Sequence, residues 1–211
     1  MLKFLDFVND LGFELPHHLS FLTSSQEQFC YAHNDYELHQ EAKQRINQYL
    51  QTATWTRASF GNLSDVDIVI AFSFGDSEEV NLELGTQVER VYQAIPHVDY
   101  YLQQEVAEHV KDVPFVSIAN TEYQTTSDVA KRASNAHSGA KVVVVAQSWH
   151  AQRCIDTCKE LGLDVVALRV VDSFPAEDPQ PWVRNPINWI IKESYREVAT
   201  GYETSERFNL M

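Results

Sequence analysis

Four short apolar runs punctuate the chain from Asp65 onward: DIVIAFSF at 67–74, PFVSIA at 114–119, KVVVVAQ at 141–147 and DVVALRV at 164–170. A strand with one face in water alternates apolar and polar residues, whereas a strand covered by helices on both faces stays apolar throughout. Runs of the second kind, rich in Val and Ile and separated by stretches of helical period, specify parallel strands joined by crossover helices. The fold class expected is α/β with a mostly parallel sheet.

The intervening stretches have the period of amphipathic helices. Leu84, Val88, Val91 and Ile95 form one stripe, and Leu102, Val106 and Val110 a second. A third helix starts in Thr125, Thr126, Ser127 and Asp128 and ends near Gly139. A fourth runs from about Trp149 to Leu161, with Gly162 placed as a left-handed terminator. Pro186 opens a last helix through Ile187, Ile190, Ile191 and Tyr195, because proline suits a first helical turn. Before the first strand the chain reads as helical, with Phe4, Leu5 and Val8 in one segment ending near Gly12 and Pro16. Leu38, Ala42, Ile46, Tyr49 and Leu50 lie on one face of another. The division predicted is a helical amino-terminal extension over 1–60, packed on an α/β domain over 61–211.

Charge narrows the partners. The chain carries 16 Lys and Arg against 30 Asp and Glu, a formal charge of -14. Nucleic-acid affinity comes from basic groups that release phosphate counterions, so neither nucleic acid nor an anionic membrane is an expected partner. The opening MLKFLDFVNDLGFELPHH has no uninterrupted apolar stretch and reads as neither a signal peptide nor a membrane span. Cys30, Cys154 and Cys158 are an odd set without CxxC, as expected of reduced thiols in a cytoplasmic protein. Cys154 and Cys158, four apart on one helical face, read as core packing.

In open parallel sheets, ligands bind beyond the carboxyl ends of the strands where strand order reverses. Three segments follow strands: SFGDSEE at 73–79, NTEYQTTSD at 120–128 and QSWHAQR at 147–153, with Asp172 and Ser173 after the last run. In the first, Ser73, Gly75 and Asp76 read equally as a structural turn or a ligand loop. No GxGxxG or P-loop spacing is present. In the second, the Thr125, Thr126 and Ser127 hydroxyls beside a helix start could hold an anion or simply cap the helix. Asp128 would favour the cap. In the third, Ser148, His150 and Arg153 follow a fully apolar strand. His150 and Arg153, three apart, can share a helix face, combining a group that titrates near neutrality with a fixed cationic fork. Asp76 and His150 are the acid–base candidates. His17 and His18, or His33, Asp35 and His39, match no closed zinc spacing, and no metal is expected. No GxSxG nucleophile elbow is present.

Together these segments resemble the SanA/ElyC/YdcF-like family over about Asp65 to Tyr202. Thr126 and Asp128 match the family's Thr and acidic positions at a helix start, while Val129 replaces its usual Asn. Ser148, His150 and Arg153 fit the hydroxyl, His and Arg that follow its next strand, and Glu193 resembles its late helix. The glycine-rich end of the family's first strand is reduced to Phe72, Ser73, Phe74 and Gly75. The resemblance implies a Rossmann-like three-layer sandwich and, without a membrane segment, the soluble YdcF-like branch, which is associated with S-adenosylmethionine.

Two functions follow as expectations. One is a small-molecule-binding protein or enzyme holding a nucleotide-like or anionic ligand between Gly75, Thr126, His150 and Arg153, with S-adenosylmethionine as the cofactor the resemblance permits. The other is a regulatory module whose amino-terminal Phe4, Phe7, Phe13, Phe21 and Phe29 meet a protein partner or a second copy of the chain.

Overall fold

β-Branched residues crowd a helix but sit well on a pleated surface. Val- and Ile-rich runs are accordingly strands in the computed structural model, which describes residues 2–12, 30–31, 36–119 and 124–210. In chain order the elements are β1 (Leu2–Lys3), α1 (Phe4–Asp10), β2 (Cys30–Tyr31), α2 (Gln40–Thr52), β3 (Ile68–Ala71), α3 (Glu78–Ala94), β4 (Asp99–Gln103), α4 (Gln104–Ala107), β5 (Val116–Ile118), α5 (Thr126–Ala136), β6 (Lys141–Gln147), α6 (Ala151–Glu160) and β7 (Asp164–Val171). A 3₁₀ turn (Pro181–Val183), α7 (Pro186–Tyr195) and α8 (Gly201–Phe208) complete the order. The chain divides into two units, Thr54–Ser173 and the combination of Met1–Ala53 with Phe174–Met211.

The Thr54–Ser173 unit is an α/β fold whose five strands lie in the order β5-β4-β3-β6-β7, every neighbouring pair parallel. This is a Rossmann-like order, and it reverses between β3 and β6. Successive strand side chains point to opposite faces. On one face Ile68, Ile70, Phe72, Val142, Val144 and Ala146 pack with Val129, Ala130 and Ala133 of α5 and with Ala151, Cys154, Ile155 and Cys158 of α6. The cysteines are therefore core residues, and burial pushes the Cys158 thiol up to about 12. α3 lies against β6 and β7, with Val80, Leu84, Val88 and Val91 buried.

One expectation from sequence is corrected here. The Leu102, Val106 and Val110 stripe is not a helix: Leu102 belongs to β4, and only Gln104–Ala107 is helical. Spacing of four gave an apparent helical face, but Tyr100, Tyr101 and Leu102 pack in the sheet beside β3, where contiguous aromatic and aliphatic residues are favoured. The outer side of β7 is paired in turn by the connecting segment, because Phe60 forms an isolated antiparallel bridge with Leu168.

Among the described residues, the regular structure of the second unit is helical apart from the antiparallel β1–β2 pair. α2 begins at His39, whose Nδ1 accepts from the Ala42 amide at 3.1 Å, so this histidine serves as a helix cap. Ala42, Ile46 and Leu50 are buried as the period predicts. Pro186 opens α7, and the Asn185 side chain accepts from the Asn188 amide. All ten residues of α7 are buried, which marks a central helix, and it touches α1, α2 and α8. Its polar groups are bonded within the unit: Tyr36 donates to Asn188 at 2.7 Å, and Arg45 donates to the Ser194 carbonyl at 2.7 Å. The segment after Ser173, which the sequence reading joins to the α/β domain, thus groups with the amino-terminal residues. A helix buried on every side needs neighbours around it, and α1, α2 and α8 are among them.

Phe7 of the aromatic series is buried with its ring edge-on to Tyr36 at 5.9 Å. Phe13, Phe21, Phe29, His17, His18, His33 and Asp35, and the side chains of Phe4 and Cys30, lie outside the described residues. Among the described residues, no helix is long and apolar enough to cross a membrane.

Candidate functional site

Side chains shape the turns that follow β3 and β6, the two strands at the reversal of order, and the start of α5. After β3 the Ser73 amide donates to Gln103 Oε1 at 3.0 Å and the Phe74 amide to Asn81 Oδ1 at 3.1 Å. The Asn81 Nδ2 group donates to the carbonyls of Gly75 and Ser77. Gly75 makes the turn possible at φ 77°, a region that costs any residue with a Cβ. Asp76 lies beyond it, exposed.

After β6, Gln147 organises the chain. Its Oε1 accepts from the Trp149 amide at 2.6 Å and the His150 amide at 3.2 Å, while its Nε2 donates to the Ser173 carbonyl at 3.2 Å. One buried side chain therefore fixes the residues that introduce α6 and ties them to the end of the β7 loop. Ser148 donates to Asp172 Oδ1 at 2.5 Å. His150, 4% exposed, has Phe72 and Phe74 against its ring, with centroids 6.4 and 6.0 Å away.

His150 Nε2 is the meeting point of two elements, with Arg153 Nη2 at 2.8 Å and Thr126 Oγ1 at 3.2 Å. A guanidinium donates and never accepts, so Nε2 is the acceptor, and the neutral ring in this arrangement carries its proton on Nδ1. With Nε2 accepting, the Thr126 hydroxyl donates as well. The imidazole and the cation are thereby fixed relative to each other, the turn before α6 and the start of α5 each contributing one side.

Thr125 and Asp128 take the structural role of the two weighed from sequence. The Asp128 amide donates to Thr125 Oγ1 at 3.3 Å, and Asp128 Oδ2 accepts from the Thr125 amide at 3.0 Å, a reciprocal capping box. Bonds from the Thr125 hydroxyl and amide hold the Asp128 carboxyl below its usual value. Of the residues singled out from sequence, the structure thus brings together Thr126, His150 and Arg153. Ser148 is paired with Asp172, Thr125 with Asp128, and Asp76 stands near a residue not foreseen, Glu105.

Glu105 is half-buried at the start of α4, and its Oε2 is enclosed without a hydrogen-bond partner among the described residues. Burial raises its carboxyl above the ordinary value, opposed by bonds from its own backbone amide and the Ser73 side chain, and reinforced by the charges of Asp76 and Glu108. Folding thus favours the protonated form. The stability this supplies is present below the ordinary carboxyl range and lost as pH rises through the elevated value. Glu105→Gln is expected to raise the urea midpoint at about pH 8 and to lose that advantage near about pH 3, below the usual glutamate range. An equal midpoint at both pH values would contradict the assignment.

Gln103, Asn81 and Glu105 are not nominated by the sequence, and Gln147, which lies in the nominated QSWHAQR segment, has a bonding role that its position alone does not give. Two left a visible trace: Asn81 is a polar residue on the buried stripe of α3 between Val80 and Leu84, and Gln147 ends an otherwise apolar run. Among the described residues, no group of three or more His, Cys, Asp or Glu could hold a metal ion. Compared with protein-family models, with curated proteins and with solved structures, the chain gives no match.

Proposed function

We propose that the α/β unit binds a small anionic or nucleotide-like molecule at the carboxyl end of its sheet. The observation that carries this reading is the hydrogen-bonded set of Arg153, His150 and Thr126 beside the reversal of strand order, where such sheets receive ligands. Arg153 supplies charge, His150 and Thr126 supply directional bonds, and the turn at Gly75 forms the neighbouring border. Asp76 and His150 are the acid–base groups this site offers a bound molecule. The resemblance of Thr126, Asp128, Ser148, His150 and Arg153 to the SanA/ElyC/YdcF-like pattern makes S-adenosylmethionine the first ligand to try.

A thermal-shift screen of the full chain against S-adenosylmethionine, adenosine and phosphorylated metabolites tests the reading. A true ligand at a hundredfold excess over its Kd stabilises by about 2.7 kcal/mol, which corresponds to a rise of several degrees in Tm. Arg153→Ala is expected to weaken binding by about 2 kcal/mol or more, roughly thirtyfold, with an unchanged circular dichroism spectrum. His150→Ala should act in the same direction. A flat response to every compound, or variants that bind as tightly as the parent, would remove the proposal.

A further inference from the structure

We infer that the helical unit carries a separate anion site, in which Arg45 and Arg207 hold a small polyvalent oxyanion beside Tyr195. The site is independent of the one proposed in the α/β unit. Two buried rings form its floor, Tyr195 of α7 at 4% exposure and Phe208 of α8 at 1%, with centroids 4.8 Å apart. The Arg45 Cζ atom, from α2, lies 4.9 Å from the Tyr195 centroid, and the Arg207 Cζ atom, from the last turn of α8, lies 5.3 Å from both centroids. Arg45 is partly exposed and Arg207 exposed. His39, exposed at the cap of α2, stands T-shaped to Phe208 at 6.4 Å.

The sequence offers each arginine a partner on its own helix. Glu41 precedes Arg45 by four residues and Glu203 precedes Arg207 by four, the order and spacing that favour a helical ion pair. Neither pair forms: among the described residues, no carboxylate lies within ion-pairing distance of either guanidinium. Glu203 instead accepts from the Thr200 amide and hydroxyl, and Arg45 Nε donates to the Ser194 carbonyl at 2.7 Å. Among the described residues this is the one hydrogen bond of the Arg45 side chain, and the Arg207 side chain makes none. On α7 the Glu193 carboxylate is taken up by Lys192 and Arg196.

Shielding the rings does not call for this arrangement, because the aliphatic stem of a long side chain covers apolar surface whatever its head carries. The carboxyl end of α8 favours a cation at Arg207, but Arg45 lies in the middle of α2. Both guanidinium carbons are within 5.3 Å of one centroid, so the charges stand about 10 Å apart at most, roughly a Debye length at 0.1 M salt. Like charges at that range repel, and an anion that reaches both turns the repulsion into attraction. An ion with two or more separated charges meets this need better than a single one. The rest of the surface limits its size. At a formal charge of -14, a nucleic acid or an anionic membrane is repelled over a wide area, whereas a small ion feels chiefly the charges within a Debye length. A guanidinium fork fits phosphoryl and carboxylate oxygens alike, so the ligand class is a polyvalent oxyanion, from either a diphosphate or a polycarboxylate metabolite.

The test is an NMR titration of the full, isotopically labelled chain with pyrophosphate, citrate and acetate at matched ionic strength, following the arginine Nε–H signals. Arg45→Lys and Arg207→Lys assign the two signals of interest. Pyrophosphate, citrate or both are expected to shift Arg45 and Arg207 saturably, with an apparent Kd at least about tenfold below that of acetate, a difference of about 1.4 kcal/mol. The tighter of the two identifies the source of the anion. Arg45→Gln and Arg207→Gln should each raise that Kd at least about tenfold, and Arg207→Gln, on an exposed side chain, keeps the test decisive should Arg45→Gln unfold the unit. Shifts that grow linearly and equally with all three salts would show screening alone and overturn the site, as would binding that survives Arg207→Gln unchanged. Shifts at Arg153 without shifts at Arg45 and Arg207 would support the sheet site and overturn this one.

Discussion

Gly61→Ala is expected to cost the α/β unit about 3 kcal/mol or more, one of two large stability losses that the structure makes testable. Gly61 sits at φ +77°, and a Cβ added there would lie 2.1 Å from the Val166 carbonyl oxygen, 2.7 Å from Ala167 Cα and 2.9 Å from Ala167 Cβ. The left-handed conformation alone costs a residue with a side chain roughly 1–2 kcal/mol, and overpacking adds about 1–3 kcal/mol. The obstacle is backbone, so no rotamer relieves it. Nor can the strand retreat, because β7 is paired with β6 along its other side. The segment carrying Gly61 is pinned from several directions: Phe60 and Leu168 exchange both backbone bonds, the Val170 amide donates to Ser59 Oγ, and Arg169 donates to the carbonyls of Phe60 and Gly61. Urea unfolding of the variant measures the loss, and a change below about 1 kcal/mol would show that this edge is not held as described.

Glu193→Ala should cost about 3–5 kcal/mol in the helical unit, the penalty for breaking a buried ion pair from one side. Lys192 Nζ lies 2.7 Å from Glu193 Oε1, with side chains only 8% and 5% exposed, and Arg196 Nη1 stands 3.8 Å from the other carboxylate oxygen. The Lys192 ammonium also sits 5.1 Å from the Trp189 ring centroid, a contact that offsets part of its desolvation. Loss of the carboxylate takes the 2.7 Å counter-ion from a cation on a helix buried along its whole length. Replacing both members, Lys192→Met with Glu193→Leu, removes the charges together and is expected to cost far less than the single change, since apolar pairs of similar volume commonly match buried ion pairs in stability. The quantity to compare is the urea midpoint of the single and double variants. A double variant as unstable as Glu193→Ala would show that the pair's charges are not what the single change exposes.

Much of the sheet was legible because its strands are written in a narrow alphabet. KVVVVAQ and DVVALRV have no helical reading, and both are strands over nearly the residues foreseen. β4 escaped because DYYLQ is short and its Leu102 falls at a spacing of four from Val106, so two periods competed over too few residues to separate. The α/β fold class followed from composition and period, whereas the grouping of Phe174–Met211 with the amino-terminal residues depends on contacts between distant segments that no local window contains. The site divides along the same line. His150 and Arg153 are neighbours on one turn, and their contact could be read from a spacing of three. Thr126 reaches the same imidazole from another helix, and a position after a strand was enough to nominate it. Gln103 and Asn81 act across the fold on the amides of Ser73 and Phe74, and Glu105 owes its environment to Ser73 and Asp76. Such roles belong to pairs of residues brought together by the topology, and a one-dimensional pattern shows each member as an ordinary polar side chain.

The two units differ in how the chain is threaded through them. Thr54–Ser173 is an uninterrupted run, while its companion draws on both Met1–Ala53 and Phe174–Met211. On the ribosome the α/β sheet can therefore close as soon as β7 has emerged, whereas α1 and α2 are made before it and must wait for α7 and α8, which follow it. The nascent chain carries the apolar faces of Ala42, Ile46 and Leu50 without their final neighbours throughout that interval, the period when a chaperone has most to protect.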